Sequence, residues 1–591
     1  MPLPAYVVNG PWVRLFWSDW GGWCRGAGAG LLRVGVLVRL PFRRVLKCEN
    51  GICGREASVE EYVVDAVVAR VELVVPGLGP LAGMLAGLAG DLAGAGAAGM
   101  TLEAMEQLVT VRGRELLRAV LQYGLDAGAD AEARLPGVTG ADQVTRTLAE
   151  RDHARAVVTT VGEVRVRRIG YRARAKGVPA LFPRDAVLNL PPRGYSWLLQ
   201  QLAVMFARDG AYELAQEFVQ AATGVRIGKR QLEEMVAAAA ADVAAFYAVP
   251  GQEQRREQQP GQPEEGKQQE ALPLALSADG KGVAMRPESR RRRTKAPGKR
   301  VKNFATRPGI GEKGHKRIAE VACVSDVIPQ ARTPEQVMAS HHGGSGDSGR
   351  QEGKRQATPA PKAVNRRYRA DIAADRSAAI GWLFDEAERR DPGHARDWVA
   401  LVDGDNHQIR LIEQEAAERG ITGITILIDL IHVLEYLWKA AWAFHEPRDP
   451  AIETWTITQA TGILHGRAAE VTARIAQLAA QHPPQHSEHA NNIRKVLNYL
   501  DAKQPYLNYP KALAHGWPVA TGVIEGACRH LVNDRMGITG ARWSTSGAQA
   551  ILWLRVIHAN RDQDTYWQHH LRQEHQRNHL SRYHDDLALA A

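Results

Sequence analysis

Residues 400–438 read ALVDGDNHQIRLIEQEAAERGITGITILIDLIHVLEYLW, and two apolar runs in and beside this stretch each end in an aspartate. Trp398–Val402 is followed by Asp403, and Ile424–Ile428 is followed by Asp429. A run of Ile, Leu and Val that ends in a carboxylate is typical of a buried strand whose carboxyl end faces a site. The pattern therefore predicts two buried strands that deliver two acidic side chains.

An amphipathic segment, Asn406–Glu418, lies between the two runs and is closed by Gly420. It predicts a helix, and strand, helix and strand in this order predict a parallel α/β unit. Ligands gather at the carboxyl ends of such strands. A carboxylate there is costly to desolvate unless it is paired or binds a metal. The fold and the site therefore depend on which other carboxylates join Asp403.

Length and composition bound the class of protein. The chain has 591 residues, with 45% hydrophobic and 24% charged residues and a formal net charge of +10. That length allows several domains, and that charge points only weakly to a polyanionic partner. Five scattered cysteines predict a reducing, cytoplasmic location. Residues 73–100 are mostly Gly and Ala and include Asp91, so we expect no membrane-spanning helix and no membrane partner.

The first 100 residues predict a poorly structured N-terminal extension, in which residues 73–100 are a flexible Gly/Ala-rich stretch. A helix is predicted to begin at Thr101. Residues 157–174 alternate with the period of a strand, with Gly162 and Gly170 as turns. The basic face of that strand is compatible with a solvated surface and with a ribbon that follows phosphates, and the sequence favours neither.

Three helices are predicted at residues 196–208, 212–222 and 229–246. The last two are joined by a glycine turn, and the later one opens with Lys229 and Arg230. This arrangement fits a helix-turn-helix that recognises DNA ends, although plain helical bundles share the geometry.

Residues 101–248 are therefore predicted to be a mainly helical DNA-binding region, and residues 249–271, rich in Gln, Glu, Pro and Gly, a linker. The alternating run 272–279 predicts a further strand that ends in Asp279. Another strand is expected at residues 315–326, a disordered loop at 340–365 and a helix at 374–390.

A basic run at residues 290–303 is expected to neutralise phosphate beside the acidic strands, although such runs are often solvated tails. Residues 433–515 predict a helical insertion, and Glu525 follows near the start of a late helix. A lone Glu at that position is usually a capping residue. The C-terminal helix carries the pair His575 and His579, which we expect to be exposed surface and not a zinc site.

Asp279, Asp403 and Glu525 together are able to hold two divalent ions, and oxygen-only ligands favour Mg²⁺. The order Asp279-Gly, Asp403-Gly, Asp429-x-x-His432 and Glu525-Gly resembles the DDE transposases of the Mutator-like group. Within that group it is most similar to the Kra-type insertion-sequence transposases of bacteria. The similarity covers residues 101–583 and includes the blocks PRDAVLNLP, YSWLLQQLA and GVIEGACRHLVNDRMGITGARW.

The resemblance implies an α/β ribonuclease-H-like catalytic domain with a helical insertion, preceded by a mainly α N-terminal DNA-binding region. The catalytic core would comprise residues 272–432 and 516–560, the insertion residues 433–515, and the C-terminal helix and tail residues 561–591. The resemblance also implies DNA cleavage and strand transfer with two Mg²⁺ ions on Asp279, Asp403 and Glu525.

Asp429 and His432 match a motif of the same family. We expect them to flank the site without binding metal; alternatively, Asp429 caps a helix and His432 is packed in the core. Candidate contacts to DNA phosphates are Lys229, Arg230, Arg529, Arg535 and Arg542. The expected partners are double-stranded DNA, at the element ends and the target, and further copies of the chain in a homodimer or larger oligomer in the bacterial nucleoid. The alternatives are a nuclease of the same fold without strand transfer, an inert DNA-binding regulator, and a purely structural α/β protein in which these acids are surface residues.

Overall fold

The computed structural model describes residues 79–97, 99–248, 272–289, 316–339, 359–446, 449–484 and 486–584. The chain forms two compact units, Met1–Ala131 and Glu132–Ala591. The expected linker at 249–271, the basic run at 290–303 and the first 78 residues lie outside the described residues.

The first unit contains helices α1 (Gly79–Ala97) and α2 (Leu102–Asp130). Thr101 begins α2 as predicted, since its hydroxyl accepts the N–H of Ala104 at 3.3 Å. The expectation of a flexible stretch at 73–100 is corrected for 79–97, because Ala and Leu favour the helix enough to offset the glycines. No helix among the described residues combines the length and the apolar character needed to cross a bilayer.

The second unit opens with small antiparallel ladders. Strands β1 (Val138–Thr139) and β2 (Thr145–Arg146) pair, and β3 (Leu148–Thr159) forms a long hairpin with β4 (Gly162–Arg172). Gly162 has φ of 121°, which supports the predicted turn. Gly170 is instead inside β4, where a Cβ would lie 2.8 Å from both His153 and Phe182. Close packing, and not a turn, requires glycine there.

Helix α3 (Pro183–Val187) leads into the predicted helical segment. Its helices are α4 (Trp197–Asp209), α5 (Tyr212–Thr223), α6 (Lys229–Ala239) and α7 (Val243–Ala248). The predicted helix 229–246 is therefore interrupted at residues 240–242. Gly224 forms the predicted turn with φ of 74°.

The α4–α7 helices are not a separate domain. Leu199, Leu232 and Phe246 share one buried core with Val321 and Ile551, which lie after residue 271. The expected boundary at residue 248 is corrected accordingly, because the apolar faces of these helices are covered by residues of the later part of the same unit. Local sequence patterns could not show this, since they identify an apolar face without its partner.

A five-stranded mixed sheet forms the centre of the second unit. Its strands are β5 (Leu274–Ala284), β6 (Lys316–Ile328), β7 (Lys362–Asp371), β8 (Trp398–Val402) and β9 (Ile424–Ile428), in the spatial order β7-β6-β5-β8-β9. Strand β6 pairs antiparallel with both β5 and β7. Strand β8 pairs parallel with both β5 and β9. Four of the five strands are confirmed predictions. Strand β7 was missed and partly assigned to a loop, because this edge strand is rich in arginine and lacks an apolar period.

Helices cover both faces of the sheet. One face of the sheet shares a core with eight helices, some of which belong to the helical insertion. They are α8 (Pro334–Ala339), α9 (Arg376–Arg390), α10 (Asn406–Glu418), α11 (Leu430–Phe444), α12 (Ala451–Leu464), α13 (Ala468–Gln481), α14 (Ser487–Lys503) and α15 (Tyr509–Ala514). The other face is covered by α4–α7, α16 (Gly522–Ala527), a π-helical turn (Cys528–Asn533), α17 (Asp534–Met536) and α18 (Thr545–Ala559). Helix α19 (Gln563–Asn578) and a 3₁₀ turn (Leu580–Arg582) follow, and the described residues end at His584.

Candidate functional site

Asp279 and Asp403 lie side by side at one edge of the sheet. Strands β5 and β8 are parallel, with Ser277 opposite Leu401. The same register two residues further sets Asp279 opposite Asp403. Both side chains are half-buried. Asp279 lies midway along β5, which continues to Ala284, whereas Asp403 follows the last residue of β8. The predicted strand end at Asp279 is therefore corrected, but the two carboxylates lie at one height.

Asp429 extends this row by one strand. On β8 and β9, Val402 lies opposite Ile428, so that the next step sets Asp403 opposite Asp429. The N–H of Asp429 donates to the carbonyl of Val402 at 2.8 Å, which continues the ladder. Paired residues of neighbouring strands point to the same face of a sheet. The three aspartates therefore form one row on one face.

The helix that carries Glu525 covers that face. Asp279 is paired with Val321 on β6, and Val321 is buried in the core that α16 shares. The thiol of Cys528 lies 3.9 Å from the backbone carbonyl of Asp279. Glu525, nearly one turn earlier, is exposed to solvent. The helix thus brings Glu525 to the same face of the sheet as Asp279.

The carboxylates in this row are held by backbone donors. Asp279 accepts the N–H of Gly280 at 2.6 Å, and Asp403 accepts the N–H of Asp405 at 2.8 Å. Within the described parts of the chain, Asp279, Asp403 and Glu525 form no salt bridge. No described side chain therefore forms an ion pair with these three carboxylates, although the charges of His432 and Lys503 act on Asp403.

A tyrosine from the insertion fixes the turn after Asp403. Gly404 has φ of 96°, and a Cβ there would lie 2.9 Å from the hydroxyl of Tyr499. The Tyr499 hydroxyl donates to the carbonyl of Asp403 at 3.4 Å, and its ring stacks on Tyr436 at 3.8 Å. Burial raises the pKa of Tyr499, and nearby carboxylates raise it further. The insertion thus contributes directly to the geometry of the site.

Asp429 is occupied by protein donors. It is fully buried and accepts bonds from the Ile431 N–H at 3.0 Å, from His432 at 3.1 Å and from the Thr521 hydroxyl at 2.5 Å. Burial raises the pKa of Asp429, but these bonds outweigh it and leave that pKa below its usual range. The hydrogen bond between His432 and Asp429 also raises the pKa of His432.

The hydroxyl of Thr521 also lies 3.4 Å from a carboxylate oxygen of Glu525. Thr521 therefore connects the aspartate row to the helix of Glu525. Asp429 has the geometry of a positioning residue, and it also caps α11.

Sequence reasoning missed two further charged residues. Arg376 donates to Glu320 on β6 at 3.4 Å and pairs with Asp405. Burial raises the pKa of Glu320, which Asp279 and Asp405 raise further and Arg376 lowers. Glu320 faces Gly280, where a Cβ would lie 3.3 Å from its carboxylate. Of Arg376, Glu320 and Asp405, only Asp405 could have been found from the sequence, because it lies two residues after Asp403.

Oxygen ligands of this kind suit Mg²⁺. The ligand atoms of Asp279, Asp403 and Glu525 do not all lie within 4.8 Å of one another. One ion is therefore not enclosed by all three side chains in this conformation. Two ions about 3.5–4 Å apart draw their ligands from a wider set. The donor chemistry and the shared face fit such a pair of ions, with Glu525 able to move because it is exposed.

Among the described residues, one group of three does lie within that distance, Asp242, His570 and Glu574. Arg577 already neutralises it, since its guanidinium donates to Asp242 at 2.5 Å and also pairs with Glu574. His570 contacts Asp242 at 2.7 Å. A bound cation would face the arginine, so we interpret this cluster as a structural ion network.

The expected DNA contacts on α6 are exposed but paired. Lys229 pairs with Glu213, and Arg230 pairs with Glu234 at 3.2 Å. The side chain of Arg230 is 91% exposed. Exposed pairs of this kind contribute little to stability, so phosphates are able to compete for both cations.

The late arginines differ from one another. Arg529 and Arg542 are exposed. Arg535 is only 3% exposed, and its guanidinium lies between the rings of Tyr212 and Trp543 at 5.1 and 4.8 Å. The expected phosphate contact of Arg535 is therefore corrected, because this side chain stabilises the core beneath α4 and α5.

Comparison with models of known protein families gives no match to this sequence. Comparison with curated proteins gives no relative either.

Proposed function

We propose that this protein is a DDE transposase of an insertion sequence, which binds terminal inverted repeats, cleaves DNA and transfers the cut strand. One observation carries the proposal. Asp279 on β5 is in register with Asp403, which follows the adjacent parallel strand β8, on the face covered by the helix of Glu525. These are the three carboxylates that the resemblance implies as metal ligands.

Two Mg²⁺ ions bound there would activate a water or a 3′-hydroxyl and stabilise the leaving oxygen of a phosphodiester. Asp279 and Asp403 would hold the ions from the sheet, and Glu525 would complete one ligand set from the helix. Thr521 and Asp429 would fix the start of that helix. No described cation forms an ion pair with the three carboxylates, which leaves their oxygens available for metal.

A ribonuclease-H-like core is part of the proposal. It is supported by the mixed five-stranded sheet and by the block of helices between β9 and α16, where the insertion was expected. The helices α5 and α6 are proposed to recognise element ends, with Lys229 and Arg230 on DNA phosphates. Joining two ends requires a dimer or larger assembly.

The test is a strand-transfer assay with the DNA that flanks the gene, in Mg²⁺ and in chelator. We expect joined products only with Mg²⁺, and none from Asp403→Asn protein. Glu470→Gln, which changes an exposed carboxylate on α13, is the matched control and should join normally. Cuts without joints would indicate the alternative, a nuclease of the same fold. End binding without any cutting by the unaltered protein would indicate an inert regulator.

A further inference from the structure

A cationic groove lies along the outer edge of β7. Its volume is about 1080 Å³, and eight arginine and lysine side chains but only two carboxylates line it. The lining cations include Lys362, Arg366, Arg367, Arg390, Arg555 and Arg561. We call this the β7 groove.

The groove keeps a positive charge after its internal ion pairs are counted. Arg367 pairs with Asp562 at 2.9 Å, Arg390 with Glu386 at 2.7 Å, and Arg555 with Asp209 at 3.0 Å. The lining side chains carry a formal charge of +6, and +4 remains when Glu386 and Asp562 are included. The whole chain carries only +10, so positive charge is concentrated here.

The groove is a fixed part of the fold. The side chain of Asn560 accepts the N–H of Tyr368 at 2.8 Å and donates to the carbonyl of Tyr368 at 3.0 Å. It thereby pairs with the edge strand in the way a neighbouring strand would, which anchors the end of α18 to β7. The next residue, Arg561, has φ of 60°, a strained conformation that is held at the wall of the groove.

A β-bulge shapes the opposite wall. Val324 pairs with Arg367 and Asp326 with Val364, so one residue of β6 faces two of β7. Asn365 within the bulge has φ of 48°. A bulge redirects the side chains of its strand. The adjacent residues Arg366 and Arg367 accordingly both line the groove.

The groove begins near the aspartate row. Tyr368, at its upper end, is two residues from Ala370, which lies level with Asp279 across β6. Two strand spacings separate β7 from β5, about 10 Å. The π-helical turn joins the two sites, since Cys528 contacts Asp279 and His530 lines the groove. A DNA backbone that crosses the candidate site would reach the groove within one helical turn, about 34 Å.

We propose that the β7 groove binds the phosphate backbone of duplex DNA on one side of the bond that is cut. This inference rests on the proposed function, because it takes the aspartate row as the place of cleavage. Binding there uses charge and not base contacts, so it is independent of sequence. The groove would therefore hold the flank of the element or the target, while α5 and α6 read the repeat.

The test compares Lys362→Glu/Arg366→Glu with Arg410→Glu/Arg474→Glu, which makes the same charge change at exposed sites on α10 and α13. The probe is a labelled duplex of about 30 base pairs, some three helical turns, without the terminal repeat. We expect the groove variant to bind at least about 10-fold more weakly at low salt. The slope of log K against log salt should fall by about 1.8, since two phosphate contacts are lost.

Equal weakening in both variants would overturn the proposal, because net charge alone would explain it. Unchanged affinity and slope in the groove variant would also overturn it, as would tighter binding of duplex RNA than of duplex DNA by the unaltered chain. The thermal midpoints of both variants are measured first, and Lys362→Gln/Arg366→Gln replaces a variant that fails to fold. Binding to this duplex needs no cleavage, so absent strand transfer would count against the proposed function alone.

Discussion

Two groups of acidic side chains in this molecule differ in what neutralises them. Asp242 and Glu574 are buried and share Arg577, with His570 completing the network. Asp279, Asp403 and Glu525 are half-buried or exposed, and no described cation pairs with them. Closeness alone would select the first group as a metal site. Charge selects the second, because a cation gains most where carboxylates lack a partner.

The largest expected effect separates the two groups by activity. Asp279→Asn or Asp403→Asn should reduce Mg²⁺-dependent DNA cleavage by about 10⁴-fold, since losing a metal ligand removes several kcal/mol of transition-state stabilisation. Single-turnover cleavage of a labelled element end measures it. Asp242→Asn, provided that it folds, should cleave within about 10-fold of the unaltered protein. The reverse ranking would move the catalytic site to the C-terminal helix.

The sequence predicted the acidic edge because its signal is local. The strand before Asp403, the helix Asn406–Glu418 and the strand before Asp429 match the structure. Each was marked by a continuous apolar run or a 3.6-residue period, which burial imposes along the chain itself. That Asp279 lies in register with Asp403 depends on strand pairing, which no local pattern encodes.

The C-terminal helix shows where such reasoning fails. Its composition is polar, and the pair His575 and His579 was expected on the surface. Both instead contact backbone carbonyls of the α3 segment, and His579 is only 7% exposed. Buried polar groups that satisfy one another across 300 or more residues leave no apolar signal. Arg535 was assigned to DNA for the same reason.

The next largest effect concerns stability. Asp242→Ala should lower the free energy of unfolding by about 3 kcal/mol, because the buried ring of His570 loses its acceptor, whereas Arg577 keeps its pair with Glu574. Urea denaturation followed by circular dichroism measures it. By contrast, Asp279→Asn should change stability by less than about 1 kcal/mol, and a loss as large as that of Asp242→Ala would make both groups structural.

Mg²⁺ binding should distinguish the two groups of acidic side chains by a smaller effect, a change in thermal stability. Mg²⁺ at about 100 times its dissociation constant should stabilise the folded protein by about 2.7 kcal/mol. The thermal midpoint should therefore rise with Mg²⁺ and return with chelator. This shift should disappear in Asp403→Asn protein and persist in His570→Gln protein. Its persistence in the first and disappearance in the second would assign the metal to the C-terminal cluster.

The smallest effect is a pH dependence of the C-terminal helix. Burial lowers the pKa of His579, although its bond to the Leu190 carbonyl and the charge of Asp185 oppose this, while His575 and Arg582 add to it. The folded state thus disfavours the charged ring, so stability is complete above the unfolded pKa of about 6.5 and falls as pH decreases below it. His579→Gln keeps a donor for Leu190 and should remove part of the loss of stability between pH 7.5 and 5. Exposed His482→Gln is the control and should leave the profile unchanged. An identical profile for both variants would mean that the C-terminal helix does not sense pH through His579.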